Sequence, residues 1–128
     1  PLVTAAGSAV LRRLCTDPQL YERINTPGDR FRAAMNRFAQ EGDYPATAVG
    51  VGSMFWMHPV PGPVRSVRDL QHGIQGASAG LRLLYRRDGL HISPNHGFMC
   101  AAHTDDDITR LIEIHKAAMA ELRRQGVW

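Results

Sequence analysis

The sequence is poor in cysteine and has no long apolar run. Its 2 cysteines, Cys15 and Cys100, are too few for a disulfide framework and lack CxxC spacing. No segment approaches the roughly 18 consecutive apolar residues that a membrane span requires. The first residues, PLVTAAGSAV, carry no basic leader, so we expect no signal peptide but a part of a longer chain. These absences favour a cytoplasmic protein without a membrane partner.

Lysine is also nearly absent, since Lys116 is the single lysine beside 14 arginines. The formal charge of +3 raises the question of nucleic-acid binding. Most arginines stand beside acids, however, as in RRDG and DDDITR, and mixed signs are typical of solvated helix faces. The charge pattern therefore predicts no nucleic-acid partner.

The sequence does contain enough apolar material for a core, at 44% of its 128 residues. The proline-rich segment PVPGPV is compatible with a stiff linker, but the composition does not change after it. We therefore expect a single domain over residues 1–128. Within it, N-terminal helices over residues 1–42 lead into a small α/β domain over residues 46–128.

Apolar spacing predicts three helices in the N-terminal part. Residues 2–14 carry a stripe of small and apolar side chains. The Asp-Pro pair at 17–18 is expected to start a second helix. Thr-Pro-Gly at 26–28 is expected to interrupt it, because the residue before a proline resists the α conformation. Asp29 can then cap a third helix that ends at Gly42.

The middle of the chain has the composition of strands. Residues 46–60, ATAVGVGSMFWMHPV, predict one strand covered on both faces, in which Gly50 and Gly52 allow close approach of another element. Residues 77–87 predict a helix. LHIS and GFMCAAH are interpreted as two further strands, joined by a PNHG turn.

The last helix has the clearest signal. Thr104 and Asp107 have the spacing of a capping box, in which each residue hydrogen-bonds the backbone of the other. The three aspartates at 105–107 lie where the helix dipole favours negative charge. The predicted buried face comprises Ile108, Leu111, Ile112, His115, Met119 and Leu122.

Residues 91–108, HISPNHGFMCAAHTDDDI, concentrate the groups that carry chemistry. Cys100 and His103 are three residues apart and would face opposite sides of a strand, and helix capping explains the aspartates, so no metal site is expected. Cys100 is predicted to be a buried small hydrophobe. Lys116 lies on a polar helix face, whereas covalent lysines work desolvated. The residues themselves predict no catalytic set, no cofactor-binding residue and no metal site.

Three segments resemble, in order and spacing, the C-terminal portion of class III aminotransferases that use pyridoxal phosphate, most of all the glutamate-1-semialdehyde aminomutase subgroup. They are PLVTAAG at 1–7, VGSMF at 51–55 and AHTDDDI at 102–108. The resemblance implies an α/β (α+β) fold, namely the small C-terminal domain of the fold-type I enzymes. That domain has a mainly antiparallel sheet of about three to four strands flanked by helices. The implied activity is amino-group transfer on a small amino-acid or semialdehyde substrate.

The resemblance also implies which parts lie elsewhere. In the family a large domain supplies the Schiff-base lysine and the phosphate-binding groups, and Lys116 does not match the lysine motif. We therefore expect pyridoxal phosphate in the complete enzyme but none bound by this chain alone, which should be inactive. The expected partners are the large domain and a second copy in a homodimer. The alternative is a non-catalytic interaction module with the same fold.

One connection of the small domain borders the substrate in this family. Here it is SPNHGF, where Asn95 stands near the family's glutamate and His96 near its alanine. We therefore take Asn95 and His96 as candidate residues at the substrate mouth. The alternative is a polar turn without substrate contact.

Overall fold

The computed structural model describes residues 2–74, 76–92 and 96–128, with only the backbone of His72. Within these residues the chain forms four α-helices, three strands and one short 3₁₀ helix. The α/β expectation is therefore confirmed. The elements are α1 (Leu2–Thr16), α2 (Leu20–Glu41), β1 (Thr47–Val49), β2 (Met54–His58), the 3₁₀ helix (Val67–His72), α3 (Ala77–Arg87), β3 (His96–Phe98) and α4 (Asp105–Arg124).

The three strands form one antiparallel sheet in the order β1-β2-β3. The prediction of a single strand over residues 46–60 is wrong, because the chain reverses between β1 and β2. Gly50 and Gly52 have φ values of +149° and +53°, which L side chains rarely adopt, so these glycines permit the reversal. Phe55 and Met57 of β2 are buried on the helix side of the sheet.

Helix α2 is continuous, and the predicted interruption at residues 26–28 is wrong, as is the cap at Asp29. Pro27 lies inside the helix. Proline removes one backbone hydrogen bond of the helix, and α2 makes side-chain hydrogen bonds to the β1–β2 hairpin. The Nη1 atom of Arg32 donates to the carbonyl oxygens of Gly52 and Met54 at 2.9 and 2.6 Å. Asn36 bonds both backbone groups of Ala48.

Helices α3 and α4 have the predicted positions. Thr104 Oγ1 accepts from the Asp107 N–H at 3.2 Å, and the Asp107 carboxylate accepts from the Thr104 N–H at 2.8 Å, which confirms the capping box. All six residues of the predicted α4 face are buried. This face packs against α2 and α3, so α4 lies at the centre of the core.

The last predicted strands are only partly present. Leu90–Ile92 is not a strand, residues 93–95 lie outside the described residues, and β3 ends at Phe98. Cys100 is exposed, so its predicted burial in a strand is wrong. Its N–H donates to His103 Nδ1 and its carbonyl oxygen accepts from the His103 N–H, both at 3.1 Å. This turn diverts the backbone from the sheet toward α4.

Helix α1 contributes nothing to the core. It contains no buried residue, and its Leu2 and Leu11 side chains are 83% and 63% exposed. Among the residues that the structure describes, no helix combines the length and the apolar composition needed to cross a membrane.

Candidate functional site

The sheet has one face toward the helices and an opposite face that we call the open sheet face. Residues paired across the strands share a face, so Val49, Trp56 and His96 form one row on it. The side chains on the open sheet face are half-buried or exposed. The open sheet face consists of Thr47, Val49, Met54, Trp56, His58, His96 and Phe98.

An aromatic cluster surrounds the candidate residue His96. The ring centroids of Trp56 and His96 are 5.8 Å apart with an interplanar angle of 27°, so the two rings are stacked. Phe98 presents its ring edge-on, with centroids 6.0 Å from His96 and 6.5 Å from Trp56. Such offset and edge-on contacts are the favoured arrangements of aromatic rings. Asn95, the other candidate, lies outside the described residues.

The open sheet face is electrically neutral. None of its residues is an Asp, Glu, Lys or Arg, and its titratable groups are the imidazoles of His58 and His96. Partial burial lowers the pKa of His58, because desolvation disfavours the charged imidazolium. The surface therefore offers apolar contact together with two imidazole rings, which can donate or accept hydrogen bonds.

A cleft of about 490 Å³ adjoins this face at the β3 edge of the sheet. Its volume lies in the range of small-molecule sites. The cleft is lined by residues 90–92, by β3 and by the first half of α4. His96, the first residue of β3, is one of the lining residues. The three histidines of the 91–108 segment, His91, His96 and His103, therefore border one cavity. Its other polar side chains are Asp107 and Arg110.

Two polar side chains of the cleft, Asp107 and His103, already form hydrogen bonds at or just before the N-terminus of α4. Hydrogen bonds from the backbone and side chain of Thr104 hold the pKa of Asp107 below its ordinary value. His103 Nδ1 accepts from the Cys100 N–H, so the neutral imidazole carries its proton on Nε2. Among the described residues, no three His, Cys, Asp or Glu side chains converge as metal ligands would.

The described residues do not fit the pyridoxal phosphate that the resemblance implies. A Schiff-base lysine needs a free, desolvated amine close to the cofactor. Lys116 Nζ instead pairs with Glu113 at 3.0 Å and lies 6.0 Å from the centroid of the Phe38 ring. It does not line the cleft beside His96. No reaction step through the cofactor can therefore be assigned to a residue of this chain.

Trp56 and Phe98 are the members of the aromatic cluster that the sequence interpretation missed. The 46–60 segment was predicted to be covered on both faces, which left no open surface for Trp56. The signal was nevertheless present, since a Gly-x-Gly between two short β-prone runs is typical of a hairpin. A hairpin at 50–52 brings Trp56 to the middle strand, beside β3.

No family model matches the chain. Its sequence is similar to several curated glutamate-1-semialdehyde 2,1-aminomutases. It is 27% identical over 128 residues to the protein from Alkaliphilus oremlandii, covering 98% of this chain and 29% of that protein. The protein from Thermomicrobium roseum is 29% identical over 127 residues, which cover 97% of this chain and 29% of that protein. The protein from Sorangium cellulosum is 30% identical over 123 residues, which cover 94% of this chain and 28% of that protein. The chain thus spans less than a third of these relatives.

Solved structures show the same fold. A glutamate-1-semialdehyde aminomutase from Pseudomonas aeruginosa PAO1 matches with a TM-score of 0.74 at 17% identity, over 83% of this chain and 24% of that one. An omega-transaminase from Sphaerobacter thermophilus matches with a TM-score of 0.72 at 21% identity, over 88% and 26%. The chain is therefore similar in sequence to part of the glutamate-1-semialdehyde 2,1-aminomutases, and it has the fold of part of the solved aminotransferase and aminomutase structures.

Proposed function

We propose that this chain is the small-domain part of a pyridoxal phosphate-dependent enzyme that transfers an amino group on a small amino-acid or semialdehyde substrate. The observation that carries the proposal is the similarity to aminomutases along nearly the whole chain. The chain spans about 29% of those relatives. The remaining part would supply the lysine and the phosphate-binding groups, and the complete enzyme would be a homodimer.

In this proposal the cofactor, held by the large domain, supplies the electron sink for amino transfer. The role of the present chain is to shape the substrate mouth. His96 lies where the open sheet face meets the cleft. With Asn95 it would border the substrate and help to select it, since both side chains can hydrogen-bond a substrate oxygen. Asn95 in place of an acid favours a substrate different from that of the aminomutases.

The second candidate function is a non-catalytic interaction module with the same fold. The exposed apolar side chains of α1 favour it, because apolar patches of this kind often mark interaction surfaces. The same patch is expected if α1 packs against a large domain. The length of the natural protein separates the two functions. A longer protein with a lysine-bearing large domain supports the enzyme, whereas a protein limited to this domain supports the module.

Cofactor binding gives a direct test. The complete protein should retain a near-visible absorbance band after gel filtration with pyridoxal phosphate, and borohydride should bleach it. The 128-residue chain should retain none. Lys116→Met is the matched control, because Lys116 is held by Glu113 and should not carry the cofactor. A band on the isolated chain that Lys116→Met removes would overturn the proposed division of roles.

The role of the substrate mouth needs a separate test in the complete enzyme. Replacing Asn95 and His96 together by Ala should change the ratio of kcat/KM between two amino donors, for example L-alanine and L-glutamate. The cofactor band should stay unchanged, because neither residue holds the cofactor. If the kcat/KM ratios of the variant equal those of the wild type for all donors, Asn95 and His96 do not select the substrate, and the alternative of a polar turn stands.

A further inference from the structure

We propose that Trp56 is a positioning residue for His96 and fixes the plane of its imidazole ring at the substrate mouth. The inference deepens the proposed function and rests on it, because the position of His96 matters only if His96 borders the substrate. Trp56 belongs to no family motif quoted above. It is assigned by its place in the sheet.

The strand register brings the two rings together. Trp56 and His96 are direct partners between β2 and β3, so both side chains leave the same face of the sheet. The ring planes are inclined by 27° and the ring centroids are 5.8 Å apart, so the indole and the imidazole form an offset stack. Both imidazole nitrogens lie on the ring edge, so the contact with the indole is made by a ring face and does not involve them.

A second ring limits rotation of the imidazole. The plane of Phe98 is at 90° to that of His96, with the centroids 6.0 Å apart. Phe98 lies two residues further along β3, on the same face. A turn of the His96 ring away from Trp56 would therefore change two aromatic contacts at once. The cluster favours one orientation of the imidazole.

Strand β2, which carries Trp56, is more deeply packed than strand β3, which carries His96. β2 is the middle strand, and its Phe55 and Met57 side chains are 2% and 0% exposed. Trp56 thus stands between two core residues. β3 is an edge strand of 3 residues, and His96 is its first residue. Trp56 is therefore the better anchored of the two stacked side chains, and its contact favours one orientation of His96.

A pre-oriented side chain costs less ordering entropy when it binds a ligand. Loss of the stack should therefore weaken substrate binding and leave the chemical step almost unchanged, because no group at the reacting bond is altered. From the usual strength of aromatic pairs we expect Trp56→Leu to raise KM about two- to tenfold. Trp56→Phe keeps a stacked ring and should restore most of the loss.

The test uses the complete enzyme loaded with pyridoxal phosphate, with L-alanine, L-glutamate and 1-phenylethylamine as amino donors. KM and kcat are measured for the wild type, Trp56→Leu, Trp56→Phe and His96→Ala. Val49→Ala is the matched control, because Val49 pairs with Trp56 from the opposite side of the same row. Proton NMR of the His96 ring reports the stack itself, since loss of the indole removes its ring-current shift.

Raised KM at nearly constant kcat for Trp56→Leu, recovery in Trp56→Phe and no effect of Val49→Ala would support the inference. If His96→Ala raises KM but Trp56→Leu does not, the positioning role is overturned and the proposed function stands. If His96→Ala also leaves KM unchanged, both roles at the mouth are overturned. A wild type that holds no cofactor, or reacts with none of the donors, overturns the proposed function and this inference with it.

Discussion

His115 shows what burial does to a single ionisable residue. Its side chain is fully buried, and its ring contacts those of Phe31 and Tyr85 at centroid distances of 4.8 and 4.4 Å. Nδ1 lies 2.8 Å from the Leu111 carbonyl oxygen, and Nε2 is buried without a hydrogen-bond partner among the described residues. Burial lowers the pKa of His115 to about 4. This burial agrees with the predicted position of His115 on the apolar face of the last helix.

The lowered pKa of His115 predicts a loss of stability in mild acid. The unfolded chain takes up a proton near pH 6.5, whereas the folded chain resists protonation until about pH 4. Between these values the unfolded state binds more protons, so the free energy of unfolding falls as the pH falls, by roughly 3 kcal/mol in total. Urea unfolding at pH 7.5 and 5.0 measures the effect. His115→Phe should reduce the difference, and an equal difference in this variant would contradict the assignment.

At the scale of elements, the packing of α2 on the β1–β2 hairpin depends on one glycine. A Cβ atom on Gly28 would lie 2.0 Å from the carbonyl oxygen of Gly52, a backbone atom that cannot move away cheaply. Gly28→Ala should therefore destabilise the chain by about 1–3 kcal/mol, the usual cost of overpacking. The measurement is the free energy of unfolding in urea.

Gly7→Ala is the control for this substitution, because a Cβ on Gly7 would meet nothing within 4 Å. Alanine is the better helix former, so Gly7→Ala should stabilise the chain by up to about 1 kcal/mol. A Gly28→Ala variant as stable as Gly7→Ala would show that α2 does not pack on the hairpin as described.

These contacts also explain which elements the sequence could predict. Helix α4 was predicted correctly because Thr104 and Asp107 are close in sequence and its apolar period is unbroken. The continuity of α2 through Pro27 was not predicted, because the local Thr-Pro-Gly signal carries no information about the long-range contacts of α2, such as those of Arg32 with the hairpin. The hairpin at residues 50–52 had a local signal in its two glycines, but the register that pairs Trp56 with His96 had none, so the aromatic cluster was missed.

At the scale of the whole molecule, α1 carries a group of exposed large apolar side chains, Leu2, Val3, Val10 and Leu11. The side chains of Val10 and Leu11 on α1 are 58% and 63% exposed. Grouped exposed apolar side chains of this kind often mark interaction surfaces. Phe98, on the open sheet face, is likewise exposed, at 58%.

The exposed apolar side chains of α1 predict different effects on stability and on association. Replacing Val10 and Leu11 together by Glu should change the free energy of unfolding of the 128-residue chain by less than about 0.5 kcal/mol, because neither side chain is buried. The same variant should bind less of a hydrophobic dye and self-associate less in sedimentation velocity, because two apolar side chains become charged. A decrease of several kcal/mol in the free energy of unfolding of the isolated chain would contradict this prediction. It would show that α1 packs on the core.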